Sequence, residues 1–282
     1  MTVTYAWTTR DVVTVSGPDA ATYLQGQVSQ DVAALAVGET ALTFVLAPQG
    51  KVDGWGRVQR TGDESFVIDV DAGAGPLWQT RLSRFLLRTK AEISVAEGVP
   101  ALSVRGAAVD GGLPVIGREA IGSDLLGVTG PDLPAGVPAD AVEVPHDELE
   151  VGRIRAGVPA WGTELDGDTI PATVGQWVID ASVSFSKGCY TGQELVARID
   201  SRGGNVPRHL MGLVIDGPPP DAGAVITVDG AVAGAVTSSA IDGAAGATVA
   251  LGFVPRSIEV GVEGTEAEVA GVPARLVHLP IS

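Results

Sequence analysis

Alternating apolar and polar positions dominate the first seventy residues of the chain. Runs of this kind between turn residues are typical of β-strands. The segments with this pattern are Asp11–Val15, Ala41–Ala47, Lys51–Arg60 and Ser65–Val70. A short helix is predicted after the first of them, over Asp19–Gly26. The pattern therefore predicts an antiparallel meander with one inserted helix.

A helical spacing of apolar positions follows. Trp78, Leu82, Phe85 and Leu86 predict a helix over Pro76–Thr89, with its arginines on the solvated face (Arg81, Arg84 and Arg88). Short strands are predicted near Ile93 and Leu102, and a further helix from His146 to a capping Gly157. Between residues 109 and 145 the sequence is rich in Gly, Pro and Asp, and it predicts no clear element.

The pattern changes after Gly203-Gly204, where short valine-rich strands replace the mixed elements. Asp229-Gly230, between two such strands, is typical of a β-hairpin turn. We therefore predict an α+β fold with two domains. Residues 1–205 form a body in which two subdomains are expected, and residues 206–282 form a small antiparallel β-barrel.

Composition narrows the class of protein. The 282 residues include 45% hydrophobic and 18% charged residues, as in an ordinary globular protein. A single cysteine excludes an internal disulfide framework and a cysteine-rich metal site built by this chain alone. The first ten residues show no basic segment leading into an apolar one, and no apolar run approaches membrane-spanning length. We expect a cytoplasmic protein without a membrane partner.

Charge argues against extended nucleic-acid binding, because the net charge is −16. The window from Lys187 to Arg208 is locally positive, since its cations outnumber Glu194 and Asp200 (Lys187, Arg198, Arg202 and Arg208). This window suits a small anionic ligand, although an ordinary solvated face would also explain it.

One stretch combines several chemically informative residues, Lys187-Gly188-Cys189-Tyr190-Thr191-Gly192-Gln193-Glu194. Thr191 and Glu194 have the spacing of a capping box, which predicts a helix over about Gly192–Asp200. Cys189 would then lie just before the positive end of a helix, beside the cation of Lys187. Both neighbours favour the thiolate, which is the nucleophilic form. A buried, inert cysteine in a well-capped turn explains the same residues.

The same stretch, followed by Val196-Ala197-Arg198, resembles the signature of the YgfZ branch of the glycine-cleavage T-protein superfamily. The run from Tyr23 to Asp31 resembles the opening motif of that superfamily, and Val236-Thr237-Ser238 its C-terminal barrel. The resemblance implies a T-protein-like fold and a folate-binding accessory protein for assembly or repair of iron–sulfur enzymes, with a link to tRNA modification. Iron–sulfur proteins or their assembly factors would be partners, and Cys189 a reactive or cluster-contacting thiolate assisted by Lys187.

The resemblance also implies tetrahydrofolate or a derivative as cofactor. Its contacts would include Asp53, matched in Gly50-Lys51-Val52-Asp53-Gly54, with Arg153, Arg198 and Arg202 for the acidic tail. Asp53 is equally compatible with a plain turn residue. Gly54 stands where the T-proteins have a second aspartate, which weakens the alternative function, a folate-dependent C1-group transferase resembling an aminomethyltransferase. The three histidines are far apart, and no metal site is predicted.

Overall fold

A computed structural model describes residues 2–117, 121–130 and 132–282. Within these residues the body contains strands β1 (Thr4–Ser16), β2 (Thr40–Leu46), β3 (Val52–Gly62), β4 (Ser65–Asp71), β5 (Glu92–Arg105), β6 (Leu113–Pro114), β7 (Gly122–Leu126) and β8 (Val142–Glu143). Its helices are α1 (Ala20–Gln27), α2 (Gly75–Ser83), α3 (His146–Ala156), α4 (Gln176–Ser182) and α5 (Gln193–Asp200), with a 3₁₀ helix at Pro171–Val174. The C-terminal part contains β9 (Arg208–Ile215), β10 (Val225–Val228), β11 (Ala231–Asp242), β12 (Ala247–Pro255), β13 (Thr265–Val269) and β14 (Val272–Val277).

The body is built on one sheet in the order β2-β3-β4-β1-β5-β7-β6, with β8 pairing in parallel with β1. β1 is the central strand, and its register with β5 shifts between Arg10 and Val12. Asp11, which lies at this shift, is buried and accepts hydrogen bonds from the backbone N–H groups of Gly73, Gly75 and Gly98. One buried carboxylate thus fixes the start of α2 against the middle of the sheet.

The C-terminal strands close into a barrel in the order β10-β11-β12-β9-β14-β13, with β13 pairing back to β10. Every neighbouring pair for which a register is described runs antiparallel. The barrel has its own apolar interior, formed among others by Leu213, Ile226 and Leu276. The predicted α+β body with a small antiparallel barrel is confirmed.

The body and the barrel share a hydrophobic cluster. Phe44 and Tyr190 from the body pack in the same buried cluster as Leu210, Val249 and Leu251 from the barrel. A shared apolar core resists the hinge motion expected of two domains that touch only through a polar surface. The barrel is therefore part of the structure that holds the body's loops in place.

The structure differs from the sequence predictions at several points. Helix α2 ends at Ser83 and is followed by turns, with Arg88 in the left-handed region at φ 65°. Arg81 is buried, not solvated, because it pairs with Asp53. The two short strands predicted near Ile93 and Leu102 are one strand, β5. The segment without a clear prediction contains β6, β7 and β8, and residues 118–120 and 131 within it lie outside the described part.

Candidate functional site

The loop that carries the cysteine alternates between residues that face outward and residues that anchor it. Phe185, Gly188 and Cys189 are exposed, whereas Lys187 is half-buried and Tyr190 is buried in the core shared with the barrel. Anchors on both sides of Gly188-Cys189 hold the backbone while leaving the thiol in solvent. The interpretation of Cys189 as a buried residue is therefore wrong.

Lys187 anchors the loop through its ammonium group. Its Nζ donates to the carbonyl oxygens of Val28 at 2.7 Å and Gln30 at 2.9 Å, and lies 5.0 Å from the centre of the Tyr190 ring. Burial lowers the pKa of Lys187 to about 8, although the charge of Asp31 works in the opposite direction. These contacts bind the ammonium group to the α1–β2 connection, so Lys187 anchors the cysteine loop.

The start of α5 differs from the predicted capping box. The N-cap is Gly192, at φ 83°, and no side chain caps the helix. Thr191 instead donates its backbone N–H to the carbonyl of Gly26, and Gln193 Oε1 accepts the N–H of Tyr190. The helix itself is confirmed to within one residue, but Thr191 and Glu194 do not form the predicted pair of caps.

Gly192 is required by close contact with the β2–β3 turn. A Cβ atom at Gly192 would lie 2.5 Å from the carbonyl oxygen of Ala47, and one at Gly50 would lie 2.4 Å from Leu195 Cβ. Gly50 and Gly192 therefore allow the turn and the start of α5 to touch. The opening motif, the hairpin before Asp53 and the cysteine motif, which are distant in sequence, meet at this place.

Asp53 lies in β3, so it is not a turn residue, and its carboxylate pairs with the buried guanidinium of Arg81 at 3.0 Å. Arg81 also donates to the carbonyl of Leu46 at 2.9 Å and to Gln27 Oε1 at 3.3 Å. The next residue, Gly54, has no room for a side chain, since a Cβ there would lie 2.3 Å from Trp78 Nε1. This contact explains why glycine stands at position 54, where the T-proteins have a second aspartate.

A cavity of about 370 Å³ lies between the central sheet and α3. Its volume falls in the range of roughly 300–1,000 Å³ that is typical of small-molecule sites. Trp55 and Trp161 contribute aromatic surface, and its charged and polar lining comes from Arg10, Arg57, Asp71, Ser103, Arg105, Asp124, His146, Glu150 and Arg153. Aromatic rings with convergent polar groups suit a planar polar ligand.

The charges around this cavity form paired networks. Asp69, which is fully buried, accepts from Arg10 at 2.8 Å and from Arg57 at 2.5 Å. Burial works to raise the pKa of Asp124, but Arg57 and Arg105 hold the pKa of that carboxyl well below its usual range. The paired arginines Arg57 and Arg105 keep the Asp124 carboxylate ionised.

A second network ties the cavity to the barrel. Arg153 donates to Glu150 at 2.9 Å and to the buried Glu164 at 3.0 Å, and Glu164 also accepts from the hydroxyls of Thr237 and Ser238 at 2.6 Å each. Burial opposes ionisation of Glu164, but Arg153 and the two hydroxyls hold its pKa below the usual value. A single network of hydrogen bonds and ion pairs thus joins the wall of the cavity to the barrel.

Among the predicted folate contacts, Arg153 lines this cavity. Asp53 lies in the Arg81 network, and Arg198 and Arg202 are exposed on α5 and just after it, so the structure does not group these three with Arg153. The sequence interpretation missed Arg10, Arg57, Asp69, Asp71, Asp124, Glu164 and the two tryptophans. A signal was present in β4, where Asp69 and Asp71 interrupt a buried strand at period two.

The described residues hold no group of three or more His, Cys, Asp or Glu placed to bind a metal ion. In the same residues, no helix has the length and apolarity needed to cross a membrane.

Residues 208–281 match the family of the glycine cleavage T-protein C-terminal barrel domain. A tRNA-modifying protein YgfZ from Klebsiella pneumoniae is 29% identical over 222 residues, which cover 69% of this chain and 66% of the relative. An iron-sulfur cluster assembly factor IBA57 homolog, mitochondrial, from Neurospora crassa is 28% identical, covering 70% of this chain and 50% of the relative. The chain thus spans slightly under two thirds of the first relative and half of the second.

The fold is also similar to a solved structure. The glycine cleavage system aminomethyltransferase T from Bartonella henselae superposes with a TM-score of 0.77 at 17% identity, covering 99% of this chain and 86% of that one. The T-protein-like fold of the whole chain, the barrel-domain match and the two relatives agree with the family resemblance seen in the sequence. The chain belongs to the YgfZ-type branch of the glycine cleavage T-protein superfamily.

Proposed function

We propose that the protein binds a reduced folate in the cavity between the sheet and α3, and that it assists the assembly or repair of iron–sulfur enzymes through Cys189. The observation that carries the proposal is the combination of Trp55, Trp161 and partly exposed carboxylates in one cavity of about 370 Å³. The names of the relatives, one a tRNA-modifying protein and one an iron-sulfur cluster assembly factor, support the cellular part.

The residues fit the chemistry of a folate. A pterin ring is planar and carries N–H donors, so it would stack on a tryptophan and donate to a carboxylate. The Glu150 side chain is 39% exposed and that of Asp71 is 32% exposed, so a ligand can reach both carboxylates, although the two oxygens of Asp71 also accept from Arg10 and from the backbone N–H of Trp161. The arginines of the cavity would orient these acceptors. Arg153 would take part in this way, and Asp53, Arg198 and Arg202 remain predicted contacts.

Cys189 would act on an iron–sulfur partner protein. Its exposure and its anchored loop support a cysteine side chain that meets another protein's cluster or cysteines. One cysteine supplies a quarter of the usual cluster ligands, so the partner would provide the others. Cytoplasmic iron–sulfur proteins, including enzymes that modify tRNA, are the proposed clients.

The alternative function, a C1-group transferase, has less support. The T-protein pattern carries a second aspartate at the position of Gly54, and in this chain Trp78 fills the space that such a side chain needs. The similarity to the aminomethyltransferase is a similarity of fold at 17% identity.

The test is calorimetric titration with a panel of reduced folates, namely tetrahydrofolate, 5-formyl- and 5,10-methenyltetrahydrofolate. The wild type is expected to bind at least one of them, and Trp55→Leu to weaken that binding at least about tenfold, because stacking is lost. Cys189→Ser should bind folate like the wild type and fail to restore iron–sulfur enzyme activity in cells that lack the protein. Absence of heat with every folate at millimolar concentration would refute the folate part of the proposal.

A further inference from the structure

A basic and apolar surface follows helix α2. From Ala72 to Ala91 the sequence has no acidic residue, in a chain whose net charge is −16. Arg84, Arg88 and Lys90 are exposed, and none of them forms a salt bridge with another described residue. Phe85 is 48% and Leu87 is 87% exposed. We name residues 84–90 the post-α2 surface.

Contacts connect this surface to the cysteine motif. The guanidinium carbon of Arg81 lies 5.0 Å from the centre of the Phe85 ring, and the same guanidinium bonds to Leu46 O and Gln27 Oε1. Gly26, the neighbour of Gln27, accepts a hydrogen bond from the backbone N–H of Thr191, and Ala47, the neighbour of Leu46, packs against Gly192. These two contacts hold the cysteine motif in place. A chain of contacts through the buried Arg81 thus links Phe85 of the post-α2 surface to the structure that presents Cys189.

We propose that the post-α2 surface docks an acidic iron–sulfur protein, so that its cluster region comes to Cys189. This inference rests on the proposed function and names the partner's chemistry. Exposed Leu87 and Phe85 would supply the apolar centre of the interface and Arg84, Arg88 and Lys90 its charged rim, an arrangement typical of protein–protein contacts. A cluster held by thiolates is itself anionic, which adds to the charge complementarity.

A protein suits this surface better than a nucleic acid does. Three exposed cations are few for phosphate binding in a protein of net charge −16, because affinity for nucleic acid rises with the number of neutralised phosphates. An exposed leucine next to a phenylalanine offers little to a phosphate backbone but gains from burial against another protein.

The experiment measures binding of a small, acidic [4Fe–4S] ferredoxin, as the probe, to the full chain by microscale thermophoresis. Leu87→Glu is compared with Val262→Glu, which makes the same change at a barrel residue that is 99% exposed. Leu87→Glu should weaken binding at least about tenfold, as expected for a central interface residue. Val262→Glu should change it less than about twofold. Circular dichroism and the thermal unfolding midpoint check that both variants fold.

Arg84→Gln combined with Lys90→Gln, positions outside the hydrophobic centre, should also weaken binding and reduce its dependence on salt. Equal effects of Leu87→Glu and Val262→Glu, or no ferredoxin binding by the wild type, would overturn the inference. Bulk tRNA is titrated in parallel, and tRNA binding that depends on Leu87 would overturn it in favour of RNA. Folate titration of the wild type separates the outcomes, because absent folate binding with intact docking would contradict only the folate part of the proposed function.

Discussion

The Nζ of Lys187 lies 2.7 Å from the backbone oxygen of Val28, and this contact ties the cysteine loop to the connection after α1. The lysine is half-buried, and burial lowers its pKa from 10.5 to about 8. Its role in the structure is to position the loop, which differs from the direct assistance to the thiolate that its place beside Cys189 suggests.

The depressed pKa predicts how stability depends on pH. Between pH 8 and 10.5 the unfolded chain binds more protons at Lys187 than the folded chain does, so the contribution of this residue to stability rises as pH rises. The neutral amine keeps two N–H donors for the two carbonyls. The free energy of unfolding of the wild type relative to Lys187→Met should therefore increase from pH 7 to pH 10.5, measured by urea unfolding. A difference that stays constant or falls over this range would contradict the prediction.

Two glycines of the same motif should respond differently to alanine. Gly192→Ala places a Cβ 2.5 Å from the Ala47 carbonyl at φ 83°, so a loss of about 2–4 kcal/mol of stability is expected. Gly188→Ala meets nothing within 4 Å and should change stability by less than about 0.5 kcal/mol. Chemical denaturation of the two variants checks this, and similar losses for both would show that the hairpin contact is not rigid.

Removing the hydroxyl of Thr191 should have little effect, because this residue does not cap α5. Thr191→Ala should stay within about 0.5 kcal/mol of the wild type. Gln193→Ala loses the bond to the N–H of Tyr190 and should cost about 0.5–1.5 kcal/mol. Urea unfolding distinguishes the two, and a larger loss for Thr191→Ala would restore the capping box.

The difference at α5 shows what the sequence could and could not predict. The end of α3 at Gly157 follows from local rules, since a glycine after the last apolar turn is the usual left-handed cap, and the structure has it at φ 70°. Thr191 and Glu194 satisfy a local rule equally well, but the β2–β3 turn forces Gly192 into the cap position. A contact with residues so distant in sequence is invisible to helix rules.

The sequence does not predict the cavity either, because its charged residues also become neighbours only through contacts between distant segments. Arg57 and Asp69 are direct cross-strand neighbours, as are Arg10 and Asp71, and both pairings depend on strand register. Arg81 was assigned to the solvated face from helical spacing, but its partner Asp53 comes from a different element. Sequence pattern predicted strands β1–β4, the barrel and four of the five helices of the described residues, but not α4 or β6–β8. The buried ion pairs depend on residues that become neighbours only in the folded structure.

Glu164 should be the most important single carboxylate for joining the body to the barrel. Glu164→Ala leaves the half-buried Arg153 without its inner partner, and a loss of about 3–5 kcal/mol is expected. Glu150→Gln removes the outer, 39% exposed partner of the same arginine and should cost less than about 1 kcal/mol.

The pKa of Glu164 is lowered, so its stabilisation is complete above the ordinary glutamate value of about 4.3 and is lost as pH falls. Acid unfolding monitored by tryptophan fluorescence should therefore be steeper in the wild type than in Glu164→Gln. Equal acid profiles would show that Glu164 is not ionised in the folded protein.

Cys189 should be accessible in the folded protein. Because its side chain is exposed on an anchored loop, iodoacetamide should modify the native chain at a rate comparable to that of the unfolded chain, with one adduct per molecule by mass spectrometry. Cys189→Ser should take no label and should keep the thermal unfolding midpoint of the wild type, because an exposed serine changes no packing. If the native protein reacts only after denaturant is added, the loop closes over the thiol in solution, and a direct role of Cys189 at a partner's cluster would be refuted. If the native protein reacts and the serine variant still supports iron–sulfur enzymes in cells, the thiol is accessible but dispensable, and the folate cavity alone would have to account for the function.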